Sequence, residues 1–132
     1  MPFVRIELPN SLSPERARKI ADAIHEAMVA TIDIPFEDRF QVIAQRPAEF
    51  RIFDRTYLGV IRSDACIFVQ ITLKSGRSAD QKRALYHQVA SNLETQVGLQ
   101  SGDVMIILIE NEPIDWSFGN GEAQIEPVSI EA

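Results

Sequence analysis

The sequence predicts an α+β protein (α/β in the broad sense): two tandem βαβ units forming one four-stranded sheet, with both helices on one face. Three observations predict it. The chain repeats itself once without a gap, at an offset of 65 residues. Each half reads strand, loop, helix, strand. The helical segments carry one apolar stripe, and the strands are short apolar runs. In the repeat, Phe3-Val4-Arg5-Ile6-Glu7-Leu8 sets against Phe68-Val69-Gln70-Ile71-Thr72-Leu73. Ser13 falls on Ser78, Glu15 on Asp80, Ile20 on Leu85, Ile24 on Val89 and Met28 on Leu93. Asp38 falls on Asp103, and each opens a final apolar run.

The first strand is expected over residues 3–8. Ser13 suits an N-cap and Pro14 the first helical position. Ile20, Ile24, Ala27 and Met28 then recur at helical spacing. Phe40 to Ala44 reads as the closing strand of the first half. In the second half, Ser78 and Gln81 have capping-box spacing. Leu85, Val89 and Leu93 follow at four-residue steps, and Gly98 is placed to end the helix. Val104 to Ile109 is the last strand. A helical crossover makes the two strands of each unit parallel. A single layer of helices leaves the other sheet face apolar and uncovered, which implies oligomerisation through it. The link from Arg46 to Arg62 reads as a loop with a short hairpin.

All 132 residues are expected in a single domain, with half-repeats at about 2–45 and 66–110 and a tail over 111–132. Hydrophobic residues make up 45% and charged residues 24%, an ordinary globular composition. A net charge of −6 argues against a nucleic-acid partner, because phosphate contacts need a basic face. No apolar run approaches the ~18 residues of a membrane span. The amino-terminal residues lack the pattern of a signal peptide, so cytoplasmic residence is expected. The single cysteine, Cys66, excludes an internal disulfide and reads as a small buried apolar residue. His25 and His87 have no ligand-spaced partner, so no metal site is expected.

Four groups could carry chemistry. Initiator methionine is normally removed before a small residue, which would make Pro2 a secondary amine on the first residue of a strand. A free α-amino group titrates near about 8, and burial or a nearby cation lowers that value. Such an amine can act as base, acid or nucleophile. Arg77 directly precedes the second N-cap, where a guanidinium and helix amides together suit a carboxylate, or it is simply a surface arginine. Lys74 is a weaker candidate for the same pocket. Asp38 could tune Pro2 or orient a water, or could instead be an exposed turn aspartate or pair with Arg39. Trp116 and Phe118 could wall a site, pack on a neighbouring subunit, or do both.

Together, the start Met1-Pro2, the run Pro35-Phe36-Glu37-Asp38-Arg39-Phe40-Gln41, the loop Gly76-Arg77-Ser78 with Gln81-Lys82, and the tail Glu110-Asn111 through Asp115-Trp116-Ser117-Phe118-Gly119 resemble the tautomerase superfamily. Within it, the malonate semialdehyde decarboxylases are the most similar. The resemblance spans nearly the whole chain. It implies the tautomerase/MIF-like fold, a homotrimer, and a small oxo-carboxylate substrate handled without metal or organic cofactor. Pro2 would be the catalytic amine, Arg77 would bind the substrate carboxylate, and Asp38 would work with Pro2. Phe40, Trp116 and Phe118 would line the pocket. Lys74 stands where some relatives carry a second arginine; lysine keeps the charge and loses the bidentate fork. The resemblance leaves decarboxylation, enol–keto tautomerisation, hydration of unsaturated acids and a non-catalytic binding trimer as readings.

Overall fold

The computed structural model describes residues 1–125. Strands β1 (Pro2–Pro9), β2 (Gln41–Arg46), β3 (Ile67–Lys74) and β4 (Val104–Asn111) form one sheet in the order β2-β1-β3-β4. Helix α1 (Pro14–Thr31) joins β1 to β2, and α2 (Ala79–Val97) joins β3 to β4. Within each half the strands are parallel, and the halves meet antiparallel at β1 and β3. This is the expected four-stranded sheet with two helices.

Local chemistry sets the helix ends. The Ser13 side chain accepts from the Arg16 backbone N–H at 3.1 Å, with Pro14 opening α1. Ser78 and Gln81 form the reciprocal capping box at the start of α2. Gly98 ends α2 at φ 74°, a conformation that costs an L side chain energy. Both helices pack on one sheet face. Ile20, Ile24, Leu85 and Val89 close over Val4, Ile6, Val69 and Ile71, all at most 1% exposed. The period-two alternation of β1 and β3 puts every second residue into this core. Cys66 is fully buried, and burial followed by the charge of Asp103 pushes its thiol pKa up.

Two expectations need correction. The outer sheet face is not uniformly apolar. Its central strands present Arg5, Glu7, Gln70 and Thr72, while Val42, Met105, Ile107 and Ile109 are exposed on the flanking strands. The link between the halves also contains no hairpin. It makes two 3-10 turns, Ala48–Phe50 and Tyr57–Gly59, and folds over part of the outer face, where Phe53 meets Phe68 edge to face. It is tied at its end by Asp103, a buried carboxylate that accepts from Ser63 N–H and Oγ–H, both at 2.6 Å. A side chain at Gly102 would collide with the Ile61 carbonyl, so glycine permits this close approach.

The observed strands begin or end a residue or two from the expected bounds. The 111–132 tail is described as far as Ile125, and residues 126–132 lie outside the described residues. No described helix is long and apolar enough to cross a membrane.

Candidate active site

The sheet register gathers residues from distant parts of the chain. Pro2 lies opposite Leu73, so the amino terminus meets the end of β3 that carries Lys74. Val4 lies opposite Gln41, and its N–H donates to the Phe40 carbonyl at 3.0 Å. The turn before β2 therefore delivers Asp38 to the same place. The terminal ammonium, carried here by Met1, pairs with Asp38 Oδ2 at 3.0 Å. Met1 is only 8% exposed and Pro2 is buried.

Arg77 reaches this end from the loop between β3 and α2. Gly76, at φ 122°, makes the turn that an L side chain would resist. The Arg77 guanidinium donates from Nη1 to the Lys74 carbonyl at 3.2 Å and from Nη2 to the Ile32 carbonyl at 3.1 Å. A guanidinium has five N–H donors, so three remain for a ligand.

Burial lowers the pKa of the terminal ammonium from 8.0. The Asp38 hydrogen bond and charge oppose that shift, while the charges of Arg77 and Lys74 assist it. The fold thus combines an amine, a carboxylate and two cations in one half-buried cluster.

Asp38 pairs with the amine and not with its neighbour. Arg39 turns instead toward α1, where Nη2 donates to Asp22 at 2.6 Å and Nε to Gln41 Oε1 at 2.7 Å. Gln41 in turn donates to the Ala21 carbonyl at 2.9 Å. His25 is 1% exposed, and its Nε2 lies 2.7 Å from the Phe36 carbonyl oxygen, so it anchors the segment leading to Asp38. Nothing in the sequence marks Asp22 or Gln41 for these roles, or His25 as this anchor. Apart from the Arg39–Gln41 bond, their partners lie 11 to 20 residues away, and no local spacing announces such contacts.

The predicted wall residues do meet. The Trp116 and Phe118 rings stack at 5.6 Å, and Phe118 lies 5.5 Å from Phe40. The Trp116 Nε1–H donates to Asn111 Oδ1 at 2.6 Å. The wall therefore runs from Asn111, which lies opposite Lys74, to Phe40, two residues beyond Asp38 in the turn before β2. A cavity of about 470 Å³, lined by Arg5, Phe53, Tyr57, Phe68 and Met105 among others, lies on the outer sheet face, away from this cluster. Among the described residues, no group of three or more His, Cys, Asp or Glu could hold a metal ion.

Two family models, each described as tautomerase enzyme, match residues 38–119 and 2–58. The chain belongs to the tautomerase family. This tautomerase is 42% identical over 125 residues to the probable tautomerase YusQ of Bacillus subtilis, covering 95% of this chain and 98% of that protein. It is 34% identical to YrdN, another probable tautomerase of the same organism, over 94% of this chain and 95% of the relative. Among solved structures, a malonate semialdehyde decarboxylase inhibited by 3-bromopropiolate is 35% identical, with a TM-score of 0.87 over 92% of both chains. A second such enzyme, solved in relation to decarboxylase and hydratase activities, is 31% identical, with a TM-score of 0.88 over 93% of this chain and 95% of that one. A macrophage migration inhibitory factor-like protein from Entamoeba histolytica shares the fold at 18% identity, with a TM-score of 0.66 over 89% of this chain and 95% of that one. This tautomerase is thus an enzyme of the superfamily, near the malonate semialdehyde decarboxylases.

Proposed function

We propose that the tautomerase acts on a small oxo-carboxylate through the amine of Pro2, with malonate semialdehyde decarboxylation as its reaction. The ion pair between the amino terminus and Asp38, flanked by Arg77 and Lys74, carries this reading. Removal of Met1 moves the amine to Pro2 and vacates the space that the buried Met1 fills. Arg77 grips the substrate carboxylate with N–H groups not spent on Lys74 and Ile32. The bond between that carboxylate and the adjacent carbon breaks and carbon dioxide leaves. The electron pair passes to the carbonyl oxygen as an enolate, which protonated Pro2 stabilises and then protonates on carbon. Alternatively, a neutral Pro2 first forms an iminium with the aldehyde, a stronger electron sink. Asp38 favours the cation, while burial and the two flanking cations favour the neutral amine, so the cluster suits either protonation state.

A second reading, enol–keto tautomerisation or hydration of an unsaturated acid, is favoured by the relatives called probable tautomerases and by the hydratase activity of a structural neighbour. There the neutral amine is the base. The exposed apolar residues of β4 further support assembly as a trimer, as in a solved fused 4-OT trimer that shares the fold.

The test joins intact mass to turnover of malonate semialdehyde and phenylenolpyruvate on one sample. Loss of Met1 with malonate semialdehyde consumed supports the decarboxylase. Preference for phenylenolpyruvate supports the second reading. Loss of Met1 with neither consumed overturns both substrates and moves the protein toward a binding role.

A further inference from the structure

We propose that Asn111 is a positioning residue that holds the aromatic wall in register with the cation loop; its effect on substrate rests on the reading of the site given above. Asn111 is the last residue of β4 and lies opposite Lys74 in the parallel pairing with β3. It makes two unlike bonds. Its backbone carbonyl accepts from the Ser75 N–H at 2.7 Å, in the loop that continues to Arg77. Its side-chain oxygen accepts from the indole N–H of Trp116 at 2.6 Å. One residue therefore ties the carboxylate-gripping loop to the wall.

The chain between Asn111 and Trp116 is built for that return. Asp115 and Glu112 exchange bonds across the Pro113–Asp115 turn, with Glu112 N–H donating to Asp115 Oδ2 at 2.8 Å and Asp115 N–H to the Glu112 carbonyl at 2.9 Å. Ser75 Oγ–H donates to Glu112 Oε1 at 2.8 Å, a second tie to the same loop. Beyond Trp116, the Phe118 N–H donates to Gln124 Oε1 at 2.9 Å, and Gln124 returns a bond to the Gly119 carbonyl at 2.7 Å.

A half-buried indole N–H seeks an acceptor, and here that acceptor decides where the ring lies. Trp116 sets Phe118 by stacking, and Phe118 sets its place against Phe40. The distance from the carboxylate grip to the wall thus follows from the Asn111 bond. That distance governs how an oxo acid with an apolar substituent fits. Asn111 itself need not touch the substrate.

Trp116 is the only tryptophan, so its emission reports on the wall directly. The experiment compares wild type, Asn111→Ala and Asn111→Asp, all with Met1 removed. It reads Trp116 emission, acrylamide quenching, thermal midpoint and the Kd of phenylpyruvate by calorimetry. Loss of one positioning hydrogen bond corresponds to about a fivefold weaker Kd in Asn111→Ala. Its emission should shift to the red and quenching should rise. Asn111→Asp retains an acceptor for the indole and should restore emission and most of the affinity. Unchanged emission in Asn111→Ala overturns the proposal. A shifted emission with unchanged phenylpyruvate affinity also overturns it, even if the midpoint falls, because the bond would then be structural only. A wild type that binds no phenylpyruvate and turns over neither assay substrate overturns the functional reading, and the emission arm then decides the Asn111 latch alone.

Discussion

Arg77→Ala removes a cation that is already oriented. Its guanidinium spends one N–H on the Lys74 carbonyl and one on the Ile32 carbonyl, at 3.2 and 3.1 Å. These bonds fix the plane of the group, so little rotamer freedom remains to be lost when a carboxylate binds. Hydrogen bonds to charged groups contribute about 1.5–3 kcal/mol, which corresponds to roughly a 10- to 150-fold loss of carboxylate affinity. The neighbouring Lys74 retains part of the field, which favours the lower half of that range. The loss should appear as a raised KM for malonate semialdehyde or phenylenolpyruvate, with kcat changed less. Arg77→Lys should recover charge but not the two-pronged grip, and should fall between wild type and Arg77→Ala. Two carbonyl acceptors lose their donor, so the thermal midpoint should also fall modestly. Steady-state kinetics over both substrates is the assay. An unchanged KM in Arg77→Ala, with the protein folded, would refute the assignment of Arg77 to the carboxylate.

Four further outcomes are expected. In Asp38→Asn the amino terminus loses the hydrogen bond and charge that raise its pKa, leaving burial and the two cations, so the amine should titrate still lower than in wild type; NMR titration with Met1 retained checks the sign. Because a depressed ammonium pKa means the unfolded chain binds more protons, the amine's contribution makes stability rise with pH between the folded pKa and 8.0, and Asp38→Asn should widen that window at its lower end. Pro2→Ala, with Met1 removed, should keep the fold by circular dichroism and lose about 10²-fold or more of turnover, the usual worth of a positioned acid or base; undiminished turnover would remove Pro2 from the chemistry. Leu85→Ala, at a fully buried position in the shared core, should cost about 2–5 kcal/mol in denaturant unfolding, and a loss below ~1 kcal/mol would show that the helices do not share one core.

Much of the architecture was legible because its signals are local. Ser13, Pro14, Ser78, Gln81 and Gly98 act through neighbours within about one helical turn, and all five perform the expected capping. The core faces were legible from period two in β1 and β3 and from the stripe in each helix. The outer face was not, because Arg5, Glu7, Gln70 and Thr72 alternate with core residues that give each run its apolar character. The link holds turn residues but no paired alternating runs of its own to form a hairpin, and the chain makes 3-10 turns there. In the candidate site, the residue types were readable and their partners were not. Asp38 and Arg39 are adjacent in sequence, yet the backbone sends one to the amino terminus and the other to Asp22 on α1. Only the strand register reveals that division.

The two aspartates that share a repeat position, Asp38 and Asp103, have parted company. Each sits where its half of the chain enters the sheet. Asp103 receives the N–H of a continuing polypeptide at Ser63, whereas Asp38 receives a chain terminus. At the offset of 65, Leu12 stands where Arg77 does and Pro9 where Lys74 does. The repeat therefore places a carboxylate at both positions but no counterpart of Arg77 or Lys74 in the first half. One carboxylate pins the linker to the sheet, and the other, at the matching place in the first half, holds an ammonium.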